Sequence, residues 1–458
     1  MRNKKSSFGK VLFLIIFLGI LGGVGFVFVS PIFEKEAPII TFKKDIYWNL
    51  KESLDLKIDD NSGIKYYKVV FKDGANETIL KNEVLKEPLK SVDLKIVPPQ
   101  LDIFFKSKEV QIAVEVVDNS KWNFLEGNRA SETFNVKIDT KKPVANVVGN
   151  SLAIRKGGSA VAVVEVFDDN LEEAYISFNN DEETFELIPF YKENYYVSLI
   201  AWPVTIDDFE QVSIIAKDKA GNITKNKIPL YIRPLKAKND TIKISDNFIK
   251  NVSTSVLEQS NEPIPEELEE VFIAQNRLLR AKNVDIIKKD SRKYMDRSAI
   301  TSFDIKPFSR LSGSRTAAGF AEKRHYYHNG SKIDEAWHLG IDWASVKHAT
   351  IKATNPGRVI ASKYIGIYGN TIIVDHKMGL SSLYAHTSIA KINVGDEIKT
   401  NQVIAKTGTS GAVLGDHLHF GVLVQGVEVN PLEWMDKNWI KTRITDVLDS
   451  AKKVIDTK

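Results

Sequence analysis

Trp337-His338-Leu339-Gly340-Ile341-Asp342 and, further along the chain, Asp416-His417-Leu418-His419-Phe420 are the stretches around which the sequence is organised. Between them they hold three histidines and a carboxylate, the ligand chemistry of a zinc site that keeps a position open for water. His417 and His419 stand two apart, so on a strand both point to one face. Each signal is weak alone: in a chain with eight histidines a single His-x-x-x-Asp is unremarkable, and an isolated His-x-His pair is more often structural than metal-binding.

The surrounding stretch, residues 303–436, reads as short strands broken by Pro356-Gly357, Tyr368-Gly369-Asn370 and Gly395-Asp396, the pattern of a compact, mainly antiparallel β domain. The motifs follow in order: His338-Leu339-Gly340-Ile341-Asp342-Trp343-Ala344, Gly357-Arg358-Val359, Tyr368-Gly369-Asn370-Thr371, Leu383-Tyr384-Ala385-His386, Thr407-Gly408-Thr409-Ser410-Gly411 and His417-Leu418-His419-Phe420. This series, between about Gly319 and Trp434, resembles the lysostaphin/LytM family of zinc metallopeptidases, which cut peptide bridges in bacterial cell walls. The resemblance implies one Zn²⁺ held by His338, Asp342 and His419, with His386 and His417 as catalytic histidines. It also implies hydrolysis of peptidoglycan cross-links or stem peptides by a metal-activated water. Inactive relatives, some of which activate amidases, typically lack one or more of these five residues, and here all five are present. The alternative is a catalytically silent regulator or wall-binding protein that activates another hydrolase.

Four histidines fall outside that set. His325 and His328 sit in a polar, aromatic stretch read as a surface loop, where Arg324, Tyr326, Tyr327 and Asn329-Gly330 shape one wall of a groove. His348 follows Lys347 in a turn. His376 ends the strand Ile372-Ile373-Val374-Asp375 and is expected to make a structural hydrogen bond.

Outward from this region the chain changes character. Residues 240–300 read as a helical connector. Phe248, Val252 and Val256 recur at helical spacing, and Pro265 followed by Glu266, Glu267, Glu269 and Glu270 marks a second helix start. Such a helix pair either blocks the groove or spaces the domains. Ile440, Ile444, Val447, Leu448, Ala451, Val454 and Ile455 give residues 437–458 an amphipathic helical face, expected to pack on the connector or the catalytic domain.

Residues 37–140 and 141–235 read as two similar β units. Ile112-Ala113-Val114-Glu115-Val116-Val117-Asp118-Asn119 has its counterpart in Val212-Ser213-Ile214-Ile215-Ala216-Lys217-Asp218-Lys219, and each half has a Gly-Asn turn, Gly127-Asn128 and Gly221-Asn222. The junction Asp139-Thr140-Lys141-Lys142-Pro143 looks like the linker between tandem bacterial immunoglobulin-like β-sandwich domains. Their aspartates cap turns or bind calcium, the first being the expectation. Such units act as spacers, murein-binding modules or docking sites for a protein partner.

At the N-terminus Arg2, Lys4, Lys5 and Lys10 precede a run, Val11 to Phe33, without a charged residue. That is long enough to cross a bilayer, with the basic flank inside. A cleaved signal peptide is the competing reading, although no small-residue cleavage site stands out. Residues 1–34 are thus a cytoplasmic tail and transmembrane anchor, with contact to the cytoplasmic (inner) membrane through residues 11–33. The catalytic domain is then in the periplasm or extracytoplasmic space.

Composition agrees with several folded units: 458 residues make roughly three domains. A net charge of +4 from 63 basic and 59 acidic residues offers nucleic acid no electrostatic footing. The absence of cysteine excludes disulfides, thiolate ligands and cysteine nucleophiles. The expected molecule is multidomain: transmembrane helix, two immunoglobulin-like β-sandwiches, helical connector, antiparallel β catalytic domain and C-terminal helix.

Overall fold

The computed structural model describes residues 8–457, so Arg2, Lys4 and Lys5 lie outside the described residues. The chain is mostly β, with an apolar helix near its N-terminus and another helix at its C-terminus. It divides into two compact units, residues 1–142 with 217–223, and residues 143–216 with 224–458.

The first unit opens with helix α1 (Phe8–Val29), 22 residues with no buried side chain. At 1.5 Å per residue it is about 33 Å long, enough to cross the hydrocarbon core of a bilayer as a span or a signal sequence. Its sheet is dominated by strands β1 (Leu54–Asp73) and β2 (Asn76–Ile96), of 20 and 21 residues, joined in one long hairpin. The β pattern of this segment is one of short stretches broken by Asp, Asn and Gly, yet the strand runs on through Asp60-Asn61-Ser62-Gly63. The polar residues are absorbed as a register shift, in which Asp60 Oδ1 accepts bonds from both the backbone N–H and the hydroxyl of Ser62 at 2.8 Å. Strands β3 (Glu109–Asp118) and β4 (Arg129–Ile138) continue the sheet. Alternate residues Val110, Ile112, Val114 and Val116 point into a core shared with Trp48, Ile58, Val69 and Phe71. The Asp-Asn pairs recognised as a repeat make the same contacts. Asp118 accepts from the backbone N–H and side-chain amide of Asn128, both at 2.7 Å, and Asp218 from those of Asn222, both at 2.8 Å.

In the second unit, Lys238–Lys243 forms a strand, β5, at the start of the stretch read as a helical connector. It pairs in parallel with β6 (Glu322–His328), which pairs antiparallel with β7 (Ser331–Trp337). The stretch from Arg324 to Tyr327 is therefore strand, not loop. Helical runs follow β5 over residues 246–259 and 268–294, the first capped by the Ser245 hydroxyl accepting the Phe248 N–H at 3.2 Å.

The stretch from Arg315 to Val429 forms an eight-stranded sheet whose centre runs β8 (Ile341–Ala344), β12 (Leu418–Val424), β11 (Leu380–Ala385), β10 (Gly369–Asp375) and β9 (Gly357–Ile365), in that spatial order. These strands are buried on both faces, and the period of two divides their residues. Ile373, Leu383 and Leu423 face the connector helices through Ile249, Phe272, Leu279 and Ile287. Ile372, Val374, Tyr384, Val422 and Val424 face the other way, into a core continuous with the β strands of residues 144–201.

The C-terminal helix buries Ile444, Leu448, Ala451 and Ile455. Rather than packing on the connector, it lies on the strands Val144–Asn150 and Ser159–Phe167 of the second β segment. There the Ser151 hydroxyl donates to the Arg443 carbonyl at 2.6 Å.

Candidate metal centre and active-site groove

Asp342 and His419 face each other across the β8–β12 ladder as direct register partners, and Ala385, the residue before His386, is the partner of His419 on the other side. His338 sits just before β8, its backbone paired to the start of β6: its N–H donates to the Glu322 carbonyl at 2.9 Å, and its carbonyl accepts the Ala321 N–H at 2.8 Å. Two neighbouring strands and the turn leading into the first of them thus bring three potential ligating atoms to one point. His338 Nε2 lies 3.0 Å from Asp342 Oδ1 and 3.1 Å from His419 Nδ1, and His419 Nδ1 lies 2.9 Å from Asp342 Oδ1.

The donor set fits a cation. His338 Nδ1–H donates to the Gly319 carbonyl at 2.7 Å, which turns Nε2 toward Asp342 and His419. Two imidazole nitrogens and a carboxylate oxygen that converge this closely are the donor set that a cation seated among them would satisfy. All three residues are buried, and His338, Asp342 and His419 form a group that can hold a metal ion. Burial tends to raise the Asp342 carboxyl, but the neighbouring imidazoles, His338 first, hold it well below the ordinary carboxylate range. Burial pushes His419 down to about 4, so its imidazole is neutral, as a ligand must be.

Two further imidazoles border this triangle, with ring centroids 4.8 Å apart. His386 donates its Nδ1–H to the Ser410 carbonyl at 2.8 Å, and burial, reinforced by His417 and His419, holds it well below its usual pKa. It takes a left-handed backbone, φ 59°, at the end of β11. The turn that supports it needs two glycines back to back: a Cβ on Gly411, φ 81°, would meet the Gly369 nitrogen at 2.5 Å. His417 donates its Nδ1–H to the Gly415 carbonyl at 2.8 Å, and its Nε2 lies 3.6 Å from Asp342 Oδ1. Burial lowers His417, yet the Asp342 carboxylate outweighs it and the net direction is up. All five residues line one groove of about 530 Å³.

Residues 336–431 match peptidase family M23. The chain carries an M23 peptidase-family domain. It is 36% identical over 102 residues to stage II sporulation protein Q of Bacillus subtilis (strain 168), covering 21% of this chain and 36% of that one. It is 30% identical over 132 residues to the DD-carboxypeptidase/endopeptidase Mpg of Neisseria meningitidis serogroup B, 28% of each chain. It is also 36% identical over 87 residues to the murein hydrolase activator EnvC of Escherichia coli (strain K12), 19% of this chain and 21% of that one. The matches span well under half the length of these relatives.

Beyond the five residues, the M23 domain's groove has walls that come from elsewhere. Arg324 on β6 donates to Asp342 Oδ2 at 3.1 Å, while Oδ1 faces the His338 and His419 imidazoles. Phe248, Phe272 and Arg280 of the connector helices line the groove as well. Phe272 packs edge-on against Tyr326, with centroids 5.0 Å apart. The helix pair is therefore one side of the groove and shares its core. The remaining histidines have structural partners. His376 is buried between the Pro356 carbonyl and the Ser382 hydroxyl, at 2.7 and 2.8 Å. His348 approaches Ser388 and the Thr407 carbonyl. His325 lies near Glu335, at 3.3 Å. His328, read as a surface residue, is buried, with Glu269 at Nδ1 and Asp246 at Nε2, 2.7 and 2.9 Å away.

Proposed function

We propose that the chain is a membrane-anchored zinc endopeptidase that hydrolyses peptide cross-links or stem peptides of peptidoglycan. One observation carries this: three ligating atoms converge within about 3 Å of one another, beside two more imidazoles whose Nδ1–H groups are both spent on backbone carbonyls. His338, Asp342 and His419 would hold the zinc. When bound, zinc supplies Lewis acidity that polarises a carbonyl and makes water acidic enough to react near neutral pH.

The chain's own groups supply the rest. With Nδ1 occupied, His386 and His417 each present Nε2 to the groove. One, neutral, takes the proton of the attacking water at Nε2, while the other, protonated at both ring nitrogens, donates its Nε2–H to the carbonyl oxygen as negative charge develops on it. Arg324 keeps Asp342 Oδ2 engaged and leaves Oδ1 beside the His338 and His419 nitrogens, where the three residues would hold the metal. In this proposal α1 is the anchor that holds the enzyme outside the cytoplasmic membrane, and the two β segments are immunoglobulin-like units that space or dock it.

The names of relatives include both an endopeptidase and an activator. The complete set of five residues favours the enzyme. Digestion of defined muropeptides, with product masses and zinc content measured together, is the test. His417→Ala should retain zinc and lose about 10²–10⁴ in turnover, whereas His338→Ala should lose the zinc. Native protein that binds zinc, releases no peptide and stimulates a separate amidase would instead be an activator.

A further inference from the structure

The loop that joins β3 to β4 has an apolar tip, Phe124 and Leu125, that is exposed among the described residues. Asn123, Phe124 and Leu125 all take left-handed backbone conformations, φ 49°, 57° and 76°, which side-chain-bearing residues rarely adopt in succession. The outcome is exposure: Phe124 is 101% and Leu125 65% accessible. A fold that strains its backbone to present a phenylalanine gains nothing from it in water.

The base of this loop is fastened to the chain just past α1. The Lys121 N–H donates to the Ile32 carbonyl at 2.8 Å, the Ser120 hydroxyl to the Glu34 carbonyl at 2.6 Å, and the Asn128 side-chain amide to the same carbonyl at 2.9 Å. Trp122 packs edge-on against Phe28, one residue from the end of α1, with centroids 6.0 Å apart. The Lys35 ammonium lies over both rings, 4.1 Å from Phe28 and 4.8 Å from Trp122. A tryptophan and a lysine at the end of an apolar helix are the groups that settle at the membrane–water boundary.

We propose that the loop Lys121–Leu125 is a second membrane contact, with Trp122 at the interface and Phe124 and Leu125 inserted among the lipids of the outer face of the bilayer. It rests on the anchor proposed above. Helix α1 is about as long as the hydrocarbon core is thick, so Phe28 and Val29 come to its outer edge. Trp122 touches Phe28, which brings the tip to the same level. Together helix and loop hold the first β unit to the membrane at two places, restricting its rotation about α1.

Because the chain contains no cysteine, one introduced cysteine carries a spin label at a single site. Full-length protein would be labelled at Phe17→Cys, Phe124→Cys or Phe104→Cys and reconstituted in vesicles of phosphatidylethanolamine and phosphatidylglycerol. Phe104 is 76% exposed, in a loop bonded through Ser107 to Asp73, nine residues along β1 from Ile64, the partner of Asp118. That places it roughly 30 Å from the base of the loop. Relaxation by oxygen against a water-soluble nickel chelate reads the depth. Labels at Phe17 and Phe124 should favour oxygen, the first more strongly, and the label at Phe104 should favour nickel. A Phe124 label as accessible to nickel as that at Phe104, with Phe17 still deep, overturns the loop contact and leaves the anchor standing. A Phe17 label open to nickel overturns both.

Discussion

Arg324 touches Asp342 at Oδ2, the oxygen outside the close approach of Oδ1 to His338 and His419. An outer partner of this kind orients a ligand, and its loss typically costs about 10–100-fold in metal affinity. Arg324→Ala is expected to weaken zinc binding to that degree in a chelator competition, with Arg324→Lys intermediate because an ammonium lacks the planar fork. Equal affinity in Arg324→Ala and native protein would show the contact to be incidental. Gly340 has a different job. A Cβ there would lie 2.6 Å from His419 Cε1 and 2.7 Å from the Phe420 carbonyl, and closer still to His419 Nε2. His419 is fixed by β12 and cannot yield, so Gly340→Ala is expected to lose zinc and about 1–3 kcal/mol of stability, read by metal analysis and by denaturant melts. The five residues singled out in the sequence line one groove; spacing alone marked only His338 with Asp342 and His417 with His419, each weakly, and His386 entered through the order of motifs in the family resemblance. Arg324 was legible only as part of a groove wall. Its approach to Asp342 depends on how β6 lies against the start of β8, which no spacing encodes.

His328 shows the same limit for an element. A polar, aromatic stretch looks like surface, but as strand β6, held between β5 and β7, it buries alternate residues, and His328 is among them. Its ring bridges Glu269, at the start of the second connector helix, and Asp246, in the first turn of the first. Those two carboxylates, Glu269 foremost, raise its pKa above 6.5. A charged imidazole donates to both, whereas a neutral one donates to only one. With the folded value raised, the stabilisation is fully present below the unfolded value, about 6.5, and is lost as pH rises through the folded one. The helices over 246–259 and 268–294 should therefore exchange amide hydrogens faster, relative to a global reference, as pH climbs past that point. In His328→Gln the difference should vanish. An unchanged pH dependence in the variant would place the titrating group elsewhere. The same two helices were legible from their apolar spacing and acidic start. The long β1–β2 hairpin was not, since its polar interruption is accommodated by a bulge that the pattern alone reads as a turn.

At the scale of the molecule, the M23 domain is not a detachable module. Its sheet is covered on one face by the connector helices, while the residues of its other face join a core that continues through Phe178, Leu199 and Ile214 to Leu448 and Ile455 of the C-terminal helix. Further polar ties cross the same boundary: Trp434 Nε1 donates to the Ser159 hydroxyl at 3.1 Å, and the Gln425 side-chain amide donates to the Glu186 carbonyl at 3.0 Å. The sequence, read segment by segment, suggests a β unit, a spacer and an enzyme in series, because periodicity marks which faces are apolar without saying which faces meet. With one continuous core, residues 143–458 should melt cooperatively. Leu448 is 3% exposed, and Leu448→Ala removes buried methyl groups at a cost of about 2–5 kcal/mol. Although Leu448 is remote from the groove in sequence and packs on the second β segment, the variant should lower the midpoint for zinc release on heating together with that for loss of β structure. Coincident shifts by calorimetry and by a zinc-sensitive dye are the expected result. If β structure melted early while zinc stayed bound to the native midpoint, the second β segment and the M23 domain would be separate folding units, and the shared core would contribute packing without cooperativity.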